Sequence, residues 1–167
     1  MNKPITNRGV TLIELCFSVA LVGVLATLAV PGVRGALRSA AVRSAMFELT
    51  AGLQQTRANS IIAARPGVLC LSDDARNCLA GTDSSNGWSA WLDVDGRPQP
   101  LAGSVLPEGL VLHATRPRLN FWPDARAAST GTLTICDTQG IAKPRAVVLS
   151  QGGRIRFADG NDADCRA

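Results

Sequence analysis

The sequence predicts an α+β protein in which one long N-terminal helix packs on antiparallel β-sheet. Three observations carry this. Residues 15–33 form a run of nineteen without a single charge, long enough to cross a bilayer as helix. Beyond Pro31 an intermittent apolar stripe of Val33, Leu37, Ala40, Phe47, Leu53 and Ile61 continues a helical pattern to about Ala64. From Gly67 onward, short apolar runs alternate with turn signals. At 167 residues the chain has the length of one ordinary domain that can bury a core of its own.

Composition narrows the function classes. Hydrophobic residues make up 46% and charged residues 18%, too apolar for a disordered chain. One His and no Tyr leave few groups for acid or base work near neutral pH. Ser150 has no base near it in sequence, His113 sits in an apolar run and reads as structural, and no enzymatic activity, cofactor or metal is expected. Five Cys without a CxxC pair or neighbouring His point to an oxidising compartment rather than to a metal site. Asp93-Val94-Asp95-Gly96 lacks the further oxygen ligands of a calcium loop and reads as a hairpin.

The elements follow in order. Lys3 and Arg8 precede Gly9, and one acid, Glu14, lies inside an apolar stretch that begins at Val10. A carboxylate at membrane depth is costly unless paired. A secretory signal would have a shorter apolar core and a small-residue cleavage site behind it. A helix over residues 10–64 would be about 80 Å long at ~1.5 Å per residue, ending near Arg65-Pro66-Gly67. Strands are expected at 67–71, 87–94, 110–114, 119–122, 132–137, 146–150 and 154–157. In residues 87–94, alternation puts Trp88, Ala90, Leu92 and Val94 on one face and Trp91 and Asp93 on the other. Phe121 and Trp122 read as core aromatics rather than as stacking surface.

Arg8-Gly9 followed by Val10-Thr11-Leu12-Ile13-Glu14-Leu15 resembles the prepilin cleavage motif of type IV pilins and type II secretion pseudopilins. The resemblance implies a type IV pilin-like fold. It also implies cleavage by prepilin peptidase between Gly9 and Val10, N-methylation of Val10, and pairing of Glu14, then the fifth residue, with a neighbouring subunit's N-terminal amine. Phe is more usual where Val10 stands. Pro31 falls where many pilins also carry a Pro. The implied organisation is a leader at 1–9, a transmembrane half-helix at 10–33, an amphipathic half at 34–65 and a periplasmic or extracellular β-domain at 66–167. The implied place is the bacterial inner membrane, spanned once with the C-terminal domain in the periplasm, and then the pilus at the cell surface, with other pilin subunits as partners.

The simplest disulfide pairing is Cys70–Cys78 and Cys136–Cys165, with Cys16 left in lipid, although four Cys allow three connectivities. The chain-entropy account credits such loops with roughly 2.5 to 3.5 kcal/mol each. Leu69-Cys70-Leu71-Ser72, Cys78, Asn86-Gly87-Trp88, Asp93 with the Gly96 turn, and residues 131–136 ahead of a closing hairpin resemble the GspH/FimT group of minor pilins.

Charge is unevenly spread. Residues 110–157 carry seven basic and two acidic side chains, while 70–109 carry two and six. Six of the seven cations are Arg, which grips phosphate bidentately. In Arg154-Ile155-Arg156-Phe157 a period of two sends Ile155 and Phe157 to the core and both Arg to solvent, about 6.8 Å apart along the strand. Lys143 and Arg145 could extend the line. Alternating Arg also suits the solvated face of an edge strand. Gly153-Arg154-Ile155-Arg156 resembles a Gly-Arg-x-Arg motif of DNA-binding FimT-like minor pilins that serve natural transformation. That implies Arg154, Arg156, Lys143 and Arg145 as contacts to DNA without sequence preference. The alternative is a GspH-like pseudopilin, or a pilus-priming subunit, that touches no nucleic acid.

Overall fold

The structure is a computed structural model that describes residues 11–81, 84–124 and 128–165, with the side chains of residues 26 and 28–31 also outside the description. The cleavage residues Gly9 and Val10 and the cation Arg126 lie outside the described residues. The chain divides into two compact units, Met1–Leu37 and Arg38–Ala167. Helix α1 runs Leu12–Ala63 and belongs to both.

In the first unit Thr11 caps the helix: the Glu14 backbone N–H donates to Thr11 Oγ1 at 3.3 Å, as Thr-x-x-Glu predicts. The Glu14 carboxylate stands in the first turn, where the helix dipole favours an anion. Among the described residues no helix is long and apolar enough to cross a membrane; the uncharged run 15–33 passes in part through side chains outside the description.

In the second unit α1 buries Val42, Ala45, Met46, Leu49 and Leu53, followed by Thr56 and Ser60. This corrects the expected stripe. Of its residues here, Leu53 is buried, whereas Ala40, Phe47 and Ile61 are exposed. The helix carries apolar residues on more than one side, so periodicity could not choose the buried side; the sheets did. The buried threonine hydroxyls are satisfied within the helix, Thr50 Oγ1 donating to the Met46 carbonyl at 2.8 Å and Thr56 Oγ1 to that of Gly52 at 2.7 Å, whereas Ser60 Oγ donates past the helix end to the Arg65 carbonyl at 2.7 Å.

The helix ends in a Schellman arrangement. Arg65 N–H bonds the Ser60 carbonyl at 3.1 Å and Ala64 N–H that of Ile61 at 3.3 Å. Ala64 takes φ +50°, a conformation that costs a residue with a Cβ roughly 1–2 kcal/mol. Ala64→Gly is therefore expected to stabilise the domain by about 1 kcal/mol. A denaturant midpoint that stays put or falls would contradict this.

The β-elements form two antiparallel sheets. One has the order β4-β3-β1-β6, from β1 (Gly67–Ser72), β3 (Gly87–Val94), β4 (Arg97–Val105) and β6 (Arg118–Phe121). The other has the order β2-β5-β7-β8-β9, from β2 (Ser84–Ser85), β5 (Leu110–Ala114), β7 (Gly131–Asp137), β8 (Arg145–Leu149) and β9 (Ile155–Asp159). A single apolar cluster joins α1 to both sheets, with Leu49, Leu53, Leu69, Leu112, Phe121, Ile135 and Val147 at 0–1% exposure. In β3 the alternation holds, with Trp88, Ala90 and Leu92 buried and Asp93 exposed.

Strand β4 has no counterpart in the sequence reading. Pro98 and Pro100 lack N–H groups and argue against a strand. They are accommodated because β4 is the sheet edge, and the register slips between Ala90 and Trp91 opposite them. The Asp95-Gly96 turn that joins it to β3 has positive φ at both residues, +54° and +77°, the pattern of a two-residue hairpin turn.

Both disulfides close in the described chain: Cys70–Cys78 with Cα atoms 5.5 Å apart, and Cys136–Cys165 at 5.7 Å. The latter ties the short 3₁₀ turn Asp162–Cys165 to β7. In the loop of the former, Asp74 accepts hydrogen bonds from the Asn77 and Arg76 backbones, the Asn77 amide and the Ser72 hydroxyl. They hold its carboxyl far below the usual range.

Candidate functional site

The β8–β9 hairpin carries the basic motif. Its turn is closed by the Ser150 N–H to the Arg154 carbonyl at 3.0 Å and the Gly153 N–H to the Ser150 carbonyl at 2.8 Å. Arg154 N–H also reaches Ser150 Oγ at 3.2 Å. Gly153 has φ +69°, and a Cβ there would press on the Arg57 guanidinium, so both backbone and space call for glycine. Arg57 projects from α1 and donates to the Gly152 carbonyl at 3.3 Å. The turn is thus clamped to the helix, a role that nothing in the local sequence around Arg57 signals.

Arg154 precedes the strand, which begins at Ile155, and Arg156 lies within it; both are exposed. Among the described residues neither takes part in an ion pair. The cross-strand register places Arg156 opposite Val148 and Arg145 opposite Asp159. Arg156 and Asp159 are three residues apart on one strand, so they point to opposite faces, and Arg145 goes with Asp159. Arg145 moreover holds the Asp159 carboxylate at 2.7 Å. The expected line of four cations is therefore divided, with Arg154 and Arg156 outside the ion pairs of the described residues and Arg145 turned away. Lys143 is exposed in the loop before β8 and lines a groove with Val111, His113 and Cys136.

Phe157 departs from expectation. It is 58% exposed and meets Phe47 of α1 edge-on, with ring centroids 5.9 Å apart. Because β9 is the last strand of its sheet, no further strand covers its flank. Trp122 is likewise exposed, at 43%, while its neighbour Phe121 is buried. A tryptophan directly before Pro123-Asp124 lies at a strand's end rather than in its middle, and that was the signal available.

The β7–β8 loop that carries Lys143 folds over Asp137. Burial alone would raise this carboxyl, but backbone N–H groups of Ala142, Gln139 and Ile141, at 3.0–3.1 Å, and the Arg38 charge outweigh it and lower it. A carboxylate with a depressed folded pKa adds stability above its unfolded value of about 3.9, and that stability is lost as pH falls through the folded value. Asp137→Asn is expected to be less stable than the parent at neutral pH and to lose less on acidification below about pH 4. Equal acid limbs in thermal melts would refute this. No cluster of three or more His, Cys, Asp or Glu suited to a metal ion exists among the described residues.

The chain matches the family described as Type II transport protein GspH over residues 45–153, a segment that ends one residue before Arg154. No curated protein matches it in sequence. Its fold is similar to the crystal structure of the type IV minor pilin FimU of Pseudomonas aeruginosa, with 22% identity, 70% of this chain and 87% of that one covered, and a TM-score of 0.53. It is also similar to the minor pseudopilin EpsH of the type 2 secretion system of Vibrio cholerae, at 14% identity, 64% and 87% coverage and a TM-score of 0.50. A long helix packed on two antiparallel sheets and the match over most of the globular unit lead to one conclusion: the chain belongs to the GspH family, the minor pilins and pseudopilins of GspH/FimT type.

Proposed function

We propose that this chain is a minor pilin of a type IV pilus whose β8–β9 hairpin binds DNA without sequence preference and so supports DNA uptake in natural transformation. The observation that carries the reading is the pair Arg154 and Arg156, exposed and outside any ion pair among the described residues, at a turn clamped by Arg57. Guanidinium groups held on a rigid hairpin bind phosphate oxygens bidentately. Phosphate contacts carry no base code. Lys143 supplies a third contact, whereas Arg145 is occupied by Asp159.

Prepilin peptidase would release the first nine residues between Gly9 and Val10, Val10 would be methylated, and residues 10–33 would hold the subunit in the inner membrane until it joins the fibre. Glu14 would pair with the amine of the next subunit, which offsets the cost of a carboxylate at membrane depth. Intact-mass measurement of the native protein tests the cut; retention of the nine residues beside an active peptidase speaks against it.

The test of DNA binding is a salt titration. Three neutralised phosphates give a slope of log affinity against log salt of about −2.7 on duplex and about −2.1 on single strands. A slope near zero would remove the proposal. A second reading, a pseudopilin of type II secretion, is favoured by the description of the matched family. It predicts that loss of the chain stops export of folded enzymes and leaves transformation unchanged.

A further inference from the structure

Trp122 follows the last residue of β6 and lines an open groove with Pro123, Asp124, Ala128 and Gln151. Gln151 belongs to the β8–β9 turn. Ala128 donates its N–H to the Gln151 carbonyl at 2.8 Å and is the bridge partner of Phe121. The indole is thus tied through backbone contacts to the turn that presents Arg154, and at most about 10 Å of extended chain separates Gln151 from Arg154.

Chemistry decides what such a groove would accept. Among the described residues its walls are an indole, a proline ring and a methyl group, with Gln151 and Asp124 at their side, and the first three suit a flat apolar surface. Asp124, which is engaged within the chain, adds negative charge that disfavours a phosphate there. The neighbouring cations on the turn attract the backbone instead. An aromatic platform beside a cationic track is the combination by which single strands are held, because every unpaired base offers a π-face. In a duplex those faces are already stacked on each other.

We infer that Trp122 stacks an unpaired base of a strand whose phosphates lie on Arg154 and Arg156, so that the hairpin prefers single-stranded DNA to duplex. The inference rests on the DNA-binding reading above. Its test compares an oligothymidine with a duplex of equal length at one salt concentration, using the full chain in neutral detergent. Trp122→Ala and Trp122→Leu, the latter retaining apolar bulk without a π-face, are expected to weaken oligothymidine binding about 5- to 100-fold. Duplex affinity should change less than about twofold, and Trp122→Phe should restore most of the lost single-strand affinity. Loss on both ligands alike in Trp122→Leu, or no loss on either, overturns the stacking role while leaving DNA binding standing. A parent protein that binds neither ligand overturns both.

Discussion

Replacing Arg154 and Arg156 together by Ala is expected to lower DNA affinity about a hundredfold or more at low salt. Hydrogen bonds to charged groups contribute about 1.5–3 kcal/mol each, and two exposed guanidiniums fall toward the lower end of that range. The slope of log affinity against log salt should shrink by about 1.8 on duplex, because two fewer counterions are released. Replacing Arg145 instead should leave the slope in place, since its guanidinium is spent on Asp159 and faces the other way. Stability should change by no more than about 0.5 kcal/mol in the double variant, both side chains being exposed. Filter binding or anisotropy across a salt series reads all of these. A double variant with the parent's affinity would assign these arginines to the solvated edge of β9 alone.

Leu53→Ala is expected to cost about 2–5 kcal/mol, a large share of a domain's usual 5–15 kcal/mol. Leu53 is fully buried where α1 meets the apolar cluster. Its truncation leaves a cavity that neighbours as rigid as β-sheet residues cannot readily fill. The change also loosens the helix one turn from Arg57, and with it the clamp on the Gly152 carbonyl. DNA affinity should fall along with the urea midpoint. Phe47→Ala, at a position 64% exposed, should cost less than about 1 kcal/mol and serves as the control. A loss below about 1 kcal/mol for Leu53→Ala, measured with disulfides kept oxidised, would mean that the helix is not held by this contact.

Several elements were legible because their signals are local. The strand over Gly87–Val94 and the Asp95-Gly96 turn follow from alternation and from the two positive φ angles that the turn demands. Strand β4 escaped because Pro98 and Pro100 forbid a central strand, and the sequence does not say which strand will be the edge. The exposure of Phe157 has the same origin: its neighbours in sequence read as a half-buried strand, yet β9 ends the sheet. At the candidate site the arginines were visible and their grouping was not. Arg145 turned out to face with Asp159, a matter of cross-strand register, and Arg57 reaches the turn across 95 residues of chain.

Period, glycine placement and local charge act within a few residues, so the long helix, most strands, the turn chemistry and the presence of a basic hairpin are readable from the residues alone. Packing settled which side of α1 is buried, which strands are edges, which cations lie outside ion pairs among the described residues, and that Trp122 stands in the open beside the β8–β9 turn. Those properties depend on what lies across from a residue, and the partner comes from a distant part of the chain.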